Sequence, residues 1–245
     1  MTDFPPLPPA LEDPRTETAQ RFLGAAFDSV DAMLEWFDSA AELAADDAIT
    51  DERLGTWTRD AAGNMLRASL VFAGAGLDSA IKQLVRDALP SVLNMSESAD
   101  SMLLKFVERT VDPGRPGATR SLARFLTSEN PRDEIVASYI KHLTGASLQS
   151  VEQVKEVARA LGIHAPKVMK RMDSLRSAFD ARNQVVHELD LVAPNAHGDR
   201  ERRIRTFAEV AALAHAILTV GQELINATVE VLMEPVDAIP VPDKD

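Results

Sequence analysis

Three side chains that could act on a phosphate ester lie close together in the last third of the chain. They are Arg182, Asn183 and His187. Asn183 and His187 have i, i+4 spacing, so on a helix they share one face, with Arg182 on the adjoining flank. A guanidinium offers a fixed fork of donors that matches phosphate oxygens, and histidine titrates near neutrality and can serve as acid or base. The spacing predicts a site for phosphate chemistry on a helix.

The helix that carries these residues is predicted over about 166–190 from its apolar periodicity. The apolar positions have the spacing of an amphipathic helix and are Val168, Met172, Leu175, Phe179, Val186 and Leu189. Arg182 occupies the slot between Phe179 and Val186, where an apolar residue is expected. Because a guanidinium is rarely buried unless it is paired, we expect Arg182 either at a subunit interface or in an ion pair with a carboxylate.

The order of residues here resembles the signature of the HEPN superfamily, in which Arg, usually followed by a polar residue, precedes His by a short gap on a helix. HEPN proteins are small all-α domains, and many of them are metal-independent ribonucleases. Arg182, Asn183 and His187 match the three positions of the signature, and Glu188 after the histidine is similar to a prokaryotic branch of the family.

A second arginine and histidine in the chain have the same spacing, Arg159 and His164. There the residue after the arginine is Ala160, which is not polar, and Gly162 is predicted to end the helix between the pair. We therefore assign the HEPN-like motif to Arg182 and His187 only.

The resemblance implies an endoribonuclease that uses the neighbouring 2′-OH as nucleophile and needs no metal ion and no cofactor. In that reading Arg182 and His187 are catalytic, and Asn183 orients His187 or stabilises developing charge. One histidine per chain is too few for both acid and base, and the family solution is a homodimer whose two motifs face each other across one cleft. The expected substrate is RNA and the expected role is a toxin or antiviral effector, for which an antitoxin or regulatory protein is the further partner to look for.

Two other interpretations stay open. The chain could be a catalytically silent HEPN-like module that dimerises or binds a partner protein or a nucleotide. It could also be a helical scaffold unrelated to that family, with Arg182 in a buried carboxylate pair and His187 at the last turn, where a cationic histidine is favourable.

A basic cluster follows the motif across a short loop. Its members are Arg200, Arg202, Arg203 and Arg205. The last helix is predicted from about Arg200 to Met233, running back antiparallel to the motif helix, so the cluster is expected beside Arg182 and His187. Two interpretations of this cluster are equally favoured: it contacts RNA, or it is an ordinary solvated face of the helix. The net charge of −12 argues against indiscriminate nucleic-acid binding but permits a local basic patch.

Helix-period patterning without strand-period alternation predicts one all-α domain, a bundle of several long antiparallel helices over residues 13–233. A Pro-rich tail at 1–12 is predicted to be disordered or extended, and an acidic tail at 234–245 is predicted to be disordered. The chain has no Cys, which excludes thiolate metal sites, and no cluster of His and carboxylates has metal-ligand spacing. No signal peptide or uninterrupted apolar span is visible, so we expect a cytoplasmic protein without membrane partners.

Local signals predict further details of the helices. Ser150 and Gln153 form a capping-box pattern that opens a helix. Pro90 is predicted to stop the second long helix. Within that helix, Gly74 and Gly76 predict either the close approach of a neighbouring helix or a kink.

Overall fold

The computed structural model describes residues 4–44, 52–195 and 201–234, so the predicted acidic tail lies outside them apart from Glu234. Within those ranges the chain forms nine α-helices and a single isolated β-bridge. The helices are α1 (Glu17–Ala44), α2 (Glu52–Met95), α3 (Glu97–Val111), α4 (Ala118–Thr127), α5 (Pro131–Thr144), α6 (Val151–Ala160), α7 (Pro166–Met172), α8 (Leu175–Glu188) and α9 (Phe207–Met233). The predicted all-α fold class is confirmed.

The three longest helices, α1, α2 and α9, pack against one another and form the centre of the bundle. Their seams supply side chains with no exposed surface: Leu23, Leu70, Leu77, Leu218 and Ile225. Of the shorter helices, α3, α5 and α8 pack on α2, α7 and α8 pack on α9, and α4 and α6 pack on α3. Helix α8, which carries the motif, thus packs on both α2 and α9.

Helix α9 is the one helix of the described residues that is long and apolar enough to cross a membrane by length and composition. More than half of its most apolar stretch is buried inside the bundle. The contacts of α9 with α1, α2 and α8 account for that apolar content as core packing.

The two glycines of α2 allow neighbouring groups to approach the helix closely. A Cβ built on Gly76 would lie 2.1 Å from the Cβ of Ala26 on α1. A Cβ built on Gly74 would lie 3.4 Å from the Cγ of Arg182 on α8. Of the two predictions for this pair of glycines, the structure supports close approach.

Helix α2 does not stop at Pro90, and that prediction was wrong. The helix runs through Pro90 to Met95. The proline is exposed, while buried core residues stand on both sides of it: Val85, Ala88, Leu89, Val92 and Leu93. The burial of this apolar face offsets the hydrogen bond that a proline removes from the helix.

The described part of the N-terminal segment is packed on the bundle, so of the two predictions for it, disordered or extended, the structure favours the extended one there. The ring of Phe4 lies 5.1 Å from the ring of Phe27 on α1. The N–H of Leu11 donates to Oδ1 of Asn226 at 3.0 Å, and Nδ2 of Asn226 donates to the carbonyl of Pro9 at 2.9 Å. A Pro-rich segment loses little conformational freedom when it is fixed, and Asn226 on α9 satisfies its backbone.

Candidate functional site

The predicted motif helix is in fact two helices, α7 and α8, separated by a turn at Asp173 and Ser174. The hydroxyl of Ser174 donates to the carbonyl of Arg171 at 2.6 Å. The N–H of Asp173 donates to the carbonyl of Lys170 at 3.1 Å. The apolar seam nevertheless continues across the turn, because Met172 and Leu175 on its two sides have no exposed surface.

The part of α8 that faces the core is its first half. Its buried residues are Leu175, Ala178, Phe179 and Ala181. Val186 and Leu189, which the sequence pattern assigned to the core seam, are 39 % and 66 % exposed. That part of the prediction was wrong, because the buried residues of α8 end at Ala181 and the helix leaves the core before Val186. Arg182 consequently lies at the border of the core face and not inside it.

The side chain of Arg182 lies along the surface of α2, over Gly74. Its Cγ and Nε would be 3.4 Å and 3.5 Å from a Cβ at that glycine. Nη1 of Arg182 donates to Oδ1 of Asn183 at 3.1 Å. Within the described ranges no carboxylate pairs with Arg182, so the buried carboxylate pair that was the structural alternative for this arginine is not found there. The guanidinium is partly buried and keeps donors for another group.

His187 and Asn183 share the face of α8 beside Arg182, as their spacing predicted. Asn183 is partly buried and His187 is exposed in the last turn of the helix. Among the described residues, the imidazole of His187 has no hydrogen-bond partner. The guanidinium and the carboxamide are thus partly buried and hydrogen-bonded to each other, and the imidazole is exposed on the face of α8 that it shares with Asn183.

Helix α8 ends in a turn with two consecutive left-handed residues, Leu189 with φ 52° and Asp190 with φ 59°. The N–H of Asp190 donates to the carbonyl of Gln184 at 2.9 Å. Residues other than glycine, asparagine and aspartate rarely adopt this backbone conformation. Contacts outside the turn must therefore hold Leu189 in it.

Those contacts converge on the carboxylate of Asp190, which has no exposed surface. Nε of Arg67 on α2 donates to it at 3.0 Å. Arg205 donates from Nη2 at 2.8 Å and from Nε at 3.2 Å. Two guanidiniums thus neutralise and hydrogen-bond one buried carboxylate, the arrangement that burying a charge requires. We call Arg67, Asp190 and Arg205 the Asp190 cluster.

The Asp190 cluster also fixes the elements next to it. Nη2 of Arg205 donates to Oε1 of Gln184 on α8 at 2.8 Å, and Nη2 of Arg67 donates to the carbonyl of Arg203 at 3.0 Å. The hydrogen bonds of Asp190 to Arg205 raise the pKa of that guanidinium above its usual value. The cluster therefore joins α2, α8 and the segment before α9 through permanently charged groups.

The basic segment lies beside the motif as expected, but its predicted conformation was wrong. Helix α9 begins at Phe207, and residues 201–206 are not helical. The segment pairs in antiparallel fashion with the end of α8, through a bridge of Leu191 with Arg202 and a hydrogen bond from the N–H of Arg203 to the carbonyl of Asp190 at 2.8 Å. Thr206 then caps α9.

The arginines that were expected to bind RNA differ in the exposure and in the partners of their side chains. Arg205 is 7 % exposed at its side chain and donates to acceptors of the protein. Arg203 pairs with Glu188 at 3.1 Å and donates to the carbonyl of Leu191. Arg202 is exposed and donates to Oδ1 of Asn64 at 2.9 Å. Arg200 lies outside the described residues. Arg202 is therefore the described member with the most freedom to meet a phosphate.

Sequence reasoning missed the partners that hold the end of α8. Glu188 pairs with Arg203, and the carboxylate of Asp190 is enclosed by Arg67 and Arg205. Arg67 stands 123 residues before Asp190, and no local pattern connects the two.

Exposed apolar side chains surround the motif. They are Val186, Leu189, Val192 and Ile204, and Ile204 is 89 % exposed. The hydrogen bond from the N–H of Arg203 to the carbonyl of Asp190 brings the segment that carries Ile204 beside the end of α8. Apolar groups gathered on a surface are typical of a site that another molecule covers.

Within the described part of the chain, no group of three or more His, Asp or Glu side chains could hold a metal ion. No protein-family model matches the chain, and no curated protein or solved structure is significantly similar to it.

Proposed function

We propose that this chain is a metal-independent endoribonuclease of the HEPN type. The observation that supports this proposal is that the guanidinium of Arg182 is held in place without a carboxylate partner among the described residues. This group is packed over Gly74 and hydrogen-bonded to Asn183, yet no described carboxylate neutralises it. A partly buried guanidinium without a described carboxylate partner, five residues before an exposed imidazole, is suited to bind the phosphate of a substrate.

The proposed reaction is attack of the 2′-oxygen of a ribose on the adjacent phosphorus, with cleavage of the bond to the 5′-oxygen. The products are a 2′,3′-cyclic phosphate and a free 5′-hydroxyl. His187 takes the proton of the 2′-OH or gives a proton to the leaving oxygen. Arg182 stabilises the charge that develops on the non-bridging oxygens. Asn183 is a positioning residue that holds the guanidinium through its Oδ1.

The active form in this proposal is a homodimer. A single chain offers one histidine at the motif, so acid and base come from two copies of His187 facing each other. The exposed apolar residues beside the motif, among them Leu189 and Ile204, support a face that a second copy covers. The cellular role that we propose is that of a toxin or antiviral effector.

The test is incubation of the purified protein with total RNA in the presence of EDTA. We expect cleavage that leaves 2′,3′-cyclic phosphate ends. The rate should fall by about 10²-fold or more in His187→Ala, because general acid–base catalysis contributes on that order. The matched control is His164→Ala, the exposed histidine of the second Arg–His pair, which should cleave like the wild type. Equal rates for His187→Ala and the wild type would refute the catalytic assignment.

One observation favours a second candidate, a catalytically silent dimerisation module. The guanidiniums of Arg203 and Arg205 are occupied by carboxylates of the protein, which leaves few free cations for RNA next to the motif. This candidate predicts a stable dimer that cleaves no RNA. Growth arrest on expression, abolished by both Arg182→Ala and His187→Ala, would contradict the silent module.

A further inference from the structure

A cleft at the junction of α3, α4 and α5 is cationic in a chain that is acidic as a whole. Its volume is about 480 Å³, which lies in the range of sites for small molecules. Four of its lining residues are basic: Arg109, Arg115, Lys141 and His142. No Asp or Glu lines it, although carboxylates outnumber Lys and Arg in the chain by 38 to 26. We call it the α3–α5 cleft.

The strongest cations of the α3–α5 cleft are not engaged by carboxylates. Nε of Arg109 donates to the carbonyl of Lys105 at 3.3 Å, and Nη1 of Arg115 donates to the carbonyl of Arg109 at 3.4 Å. Within the described residues, neither arginine nor Lys141 forms an ion pair. This contrasts with Arg203 and Arg205 beside the motif, whose charges are neutralised internally.

The other lining groups add hydrogen-bond donors and an aromatic wall. Hydroxyls come from Ser121 and Ser138, whereas the O–H of Thr110 donates to the carbonyl of Phe106 at 2.8 Å. Ser138 accepts a hydrogen bond from Nη2 of Arg124 at 3.0 Å, which leaves its own O–H to donate. The ring of His142 lies 5.3 Å from the ring of Phe106, and its Nε2 is 3.5 Å from a carboxylate oxygen of Glu156.

We propose that the α3–α5 cleft binds a small phosphorylated molecule, a phosphate monoester or diphosphate. Arginine supplies paired donors and lysine a point charge for phosphate oxygens, and the hydroxyls complete the coordination. The concave shape and the lining hydroxyls favour a small ligand over an extended polyanion. The cleft is formed by helices that have no extensive packing with α8, so the site is separate from the Arg182 motif.

The test is titration of the full-length protein with inorganic pyrophosphate, followed by calorimetry. The key variant is Arg109→Gln/Lys141→Gln. The matched control is Lys105→Gln/Arg120→Gln, which removes the same charge from α3 and α4 outside the cleft lining. All four side chains are exposed, so both double variants should melt at the temperature of the wild type.

We expect the affinity for pyrophosphate to fall by about tenfold or more in Arg109→Gln/Lys141→Gln, given the strength of charge-assisted hydrogen bonds. The control double variant should lose much less affinity, and Lys141→Arg should keep the affinity of the wild type. Added salt should weaken the binding of pyrophosphate to the wild type. His187→Ala should bind as the wild type does, which separates this site from the proposed ribonuclease.

Three results would overturn the proposal. The first is absence of pyrophosphate binding by the wild type, and the second is an equal loss of affinity in the two double variants. The third is binding to vesicles of anionic phospholipid, or to single-stranded RNA, that depends on Arg109 and Lys141 while pyrophosphate fails to compete. That result would assign the cations to a lipid surface or to RNA.

Discussion

The carboxylate of Asp190 is the most buried charge in the described structure, and it joins the end of α8 to α2 and to the segment before α9. This carboxylate accepts hydrogen bonds from Arg67 and from Arg205 and has no exposed surface. The backbone of Asp190 lies in the left-handed region, next to Leu189 in the same region. The charge pairs thus hold a turn that the backbone alone disfavours.

Replacement of that carboxylate should therefore be costly. We expect Asp190→Asn to lower the free energy of unfolding by about 3 kcal/mol, because it leaves two guanidiniums without their shared anion. Urea denaturation at neutral pH measures the change. The control is Glu209→Gln, which removes the 42 % exposed partner of Arg205 and should cost about 1 kcal/mol or less. A similar small loss in Asp190→Asn would show that the cluster does not hold the turn.

Tyr139 makes the free energy of unfolding fall at alkaline pH. Its side chain is 1 % exposed, and burial raises the pKa of its phenol from 10.0 to about 12. Between these two values the unfolded chain loses the phenolic proton and the folded chain keeps it. The contribution of Tyr139 to the free energy of unfolding is therefore fully present below pH 10. It is lost as the pH rises towards 12, by up to roughly 1.4 kcal/mol for each pH unit.

Comparison with Tyr139→Phe isolates this contribution. The free energy of unfolding of the wild type should fall more steeply than that of the variant over the same alkaline range, since other groups titrate equally in both. Ultraviolet absorbance of the single tyrosine follows its ionisation directly. Parallel stability curves for the two proteins would contradict a raised pKa.

At the level of elements, the contact of α1 with α2 depends on Gly76. A methyl group there would lie 2.1 Å from the Cβ of Ala26 and 3.6 Å from its Cα. We expect Gly76→Ala to destabilise the protein by about 2 kcal/mol or more through this overlap, despite the better helix propensity of alanine.

Gly24 on α1 provides the opposite case. A Cβ there meets nothing within 4 Å, so Gly24→Ala should stabilise the protein by roughly 0.5–1 kcal/mol. The melting temperatures of the two variants should therefore shift in opposite directions. A gain of stability in Gly76→Ala would mean that α1 and α2 are not in close contact at Ala26.

At the level of the whole molecule, the proposed homodimer makes the exposed apolar residues near the motif a testable surface. We expect the wild type to have twice the 26.7 kDa mass of the chain in solution. Ile204→Asp, at a residue 89 % exposed in the single chain, should shift the mass to that of the monomer and reduce RNA cleavage with it, because the charge cannot be desolvated in an interface. Light scattering after gel filtration measures the mass.

Leu126→Asp is the matched control, since Leu126 on α4 is also apolar and 72 % exposed but lies far along the chain from the motif. It should leave the mass of the protein unchanged. A monomeric wild type at all accessible concentrations would argue against the proposed homodimer, and a dimer that both variants preserve would place the interface elsewhere.

The sequence by itself determined the features that depend on neighbouring residues. Apolar periodicity predicted an all-α fold, and the capping box at Ser150 and Gln153 forms as expected. Gly162, with φ 74°, lies beyond the end of α6, which confirms the helix end predicted between Arg159 and His164. The spacing of Asn183 and His187 likewise put them on one face of α8. Such features are local because the geometry of a helix relates residues three or four positions apart.

Only the tertiary structure decided which charges are used internally and which stay open. Arg67 and Asp190 are 123 residues apart, yet they form a buried pair. Arg205 is enclosed while Arg182, on the face of a neighbouring helix, has no described carboxylate partner. A sequence pattern gives the position of a side chain on its own helix, whereas the partner of a charge depends on which distant element packs against that helix. The ion pairs that hold the candidate site were therefore not predictable from its motif.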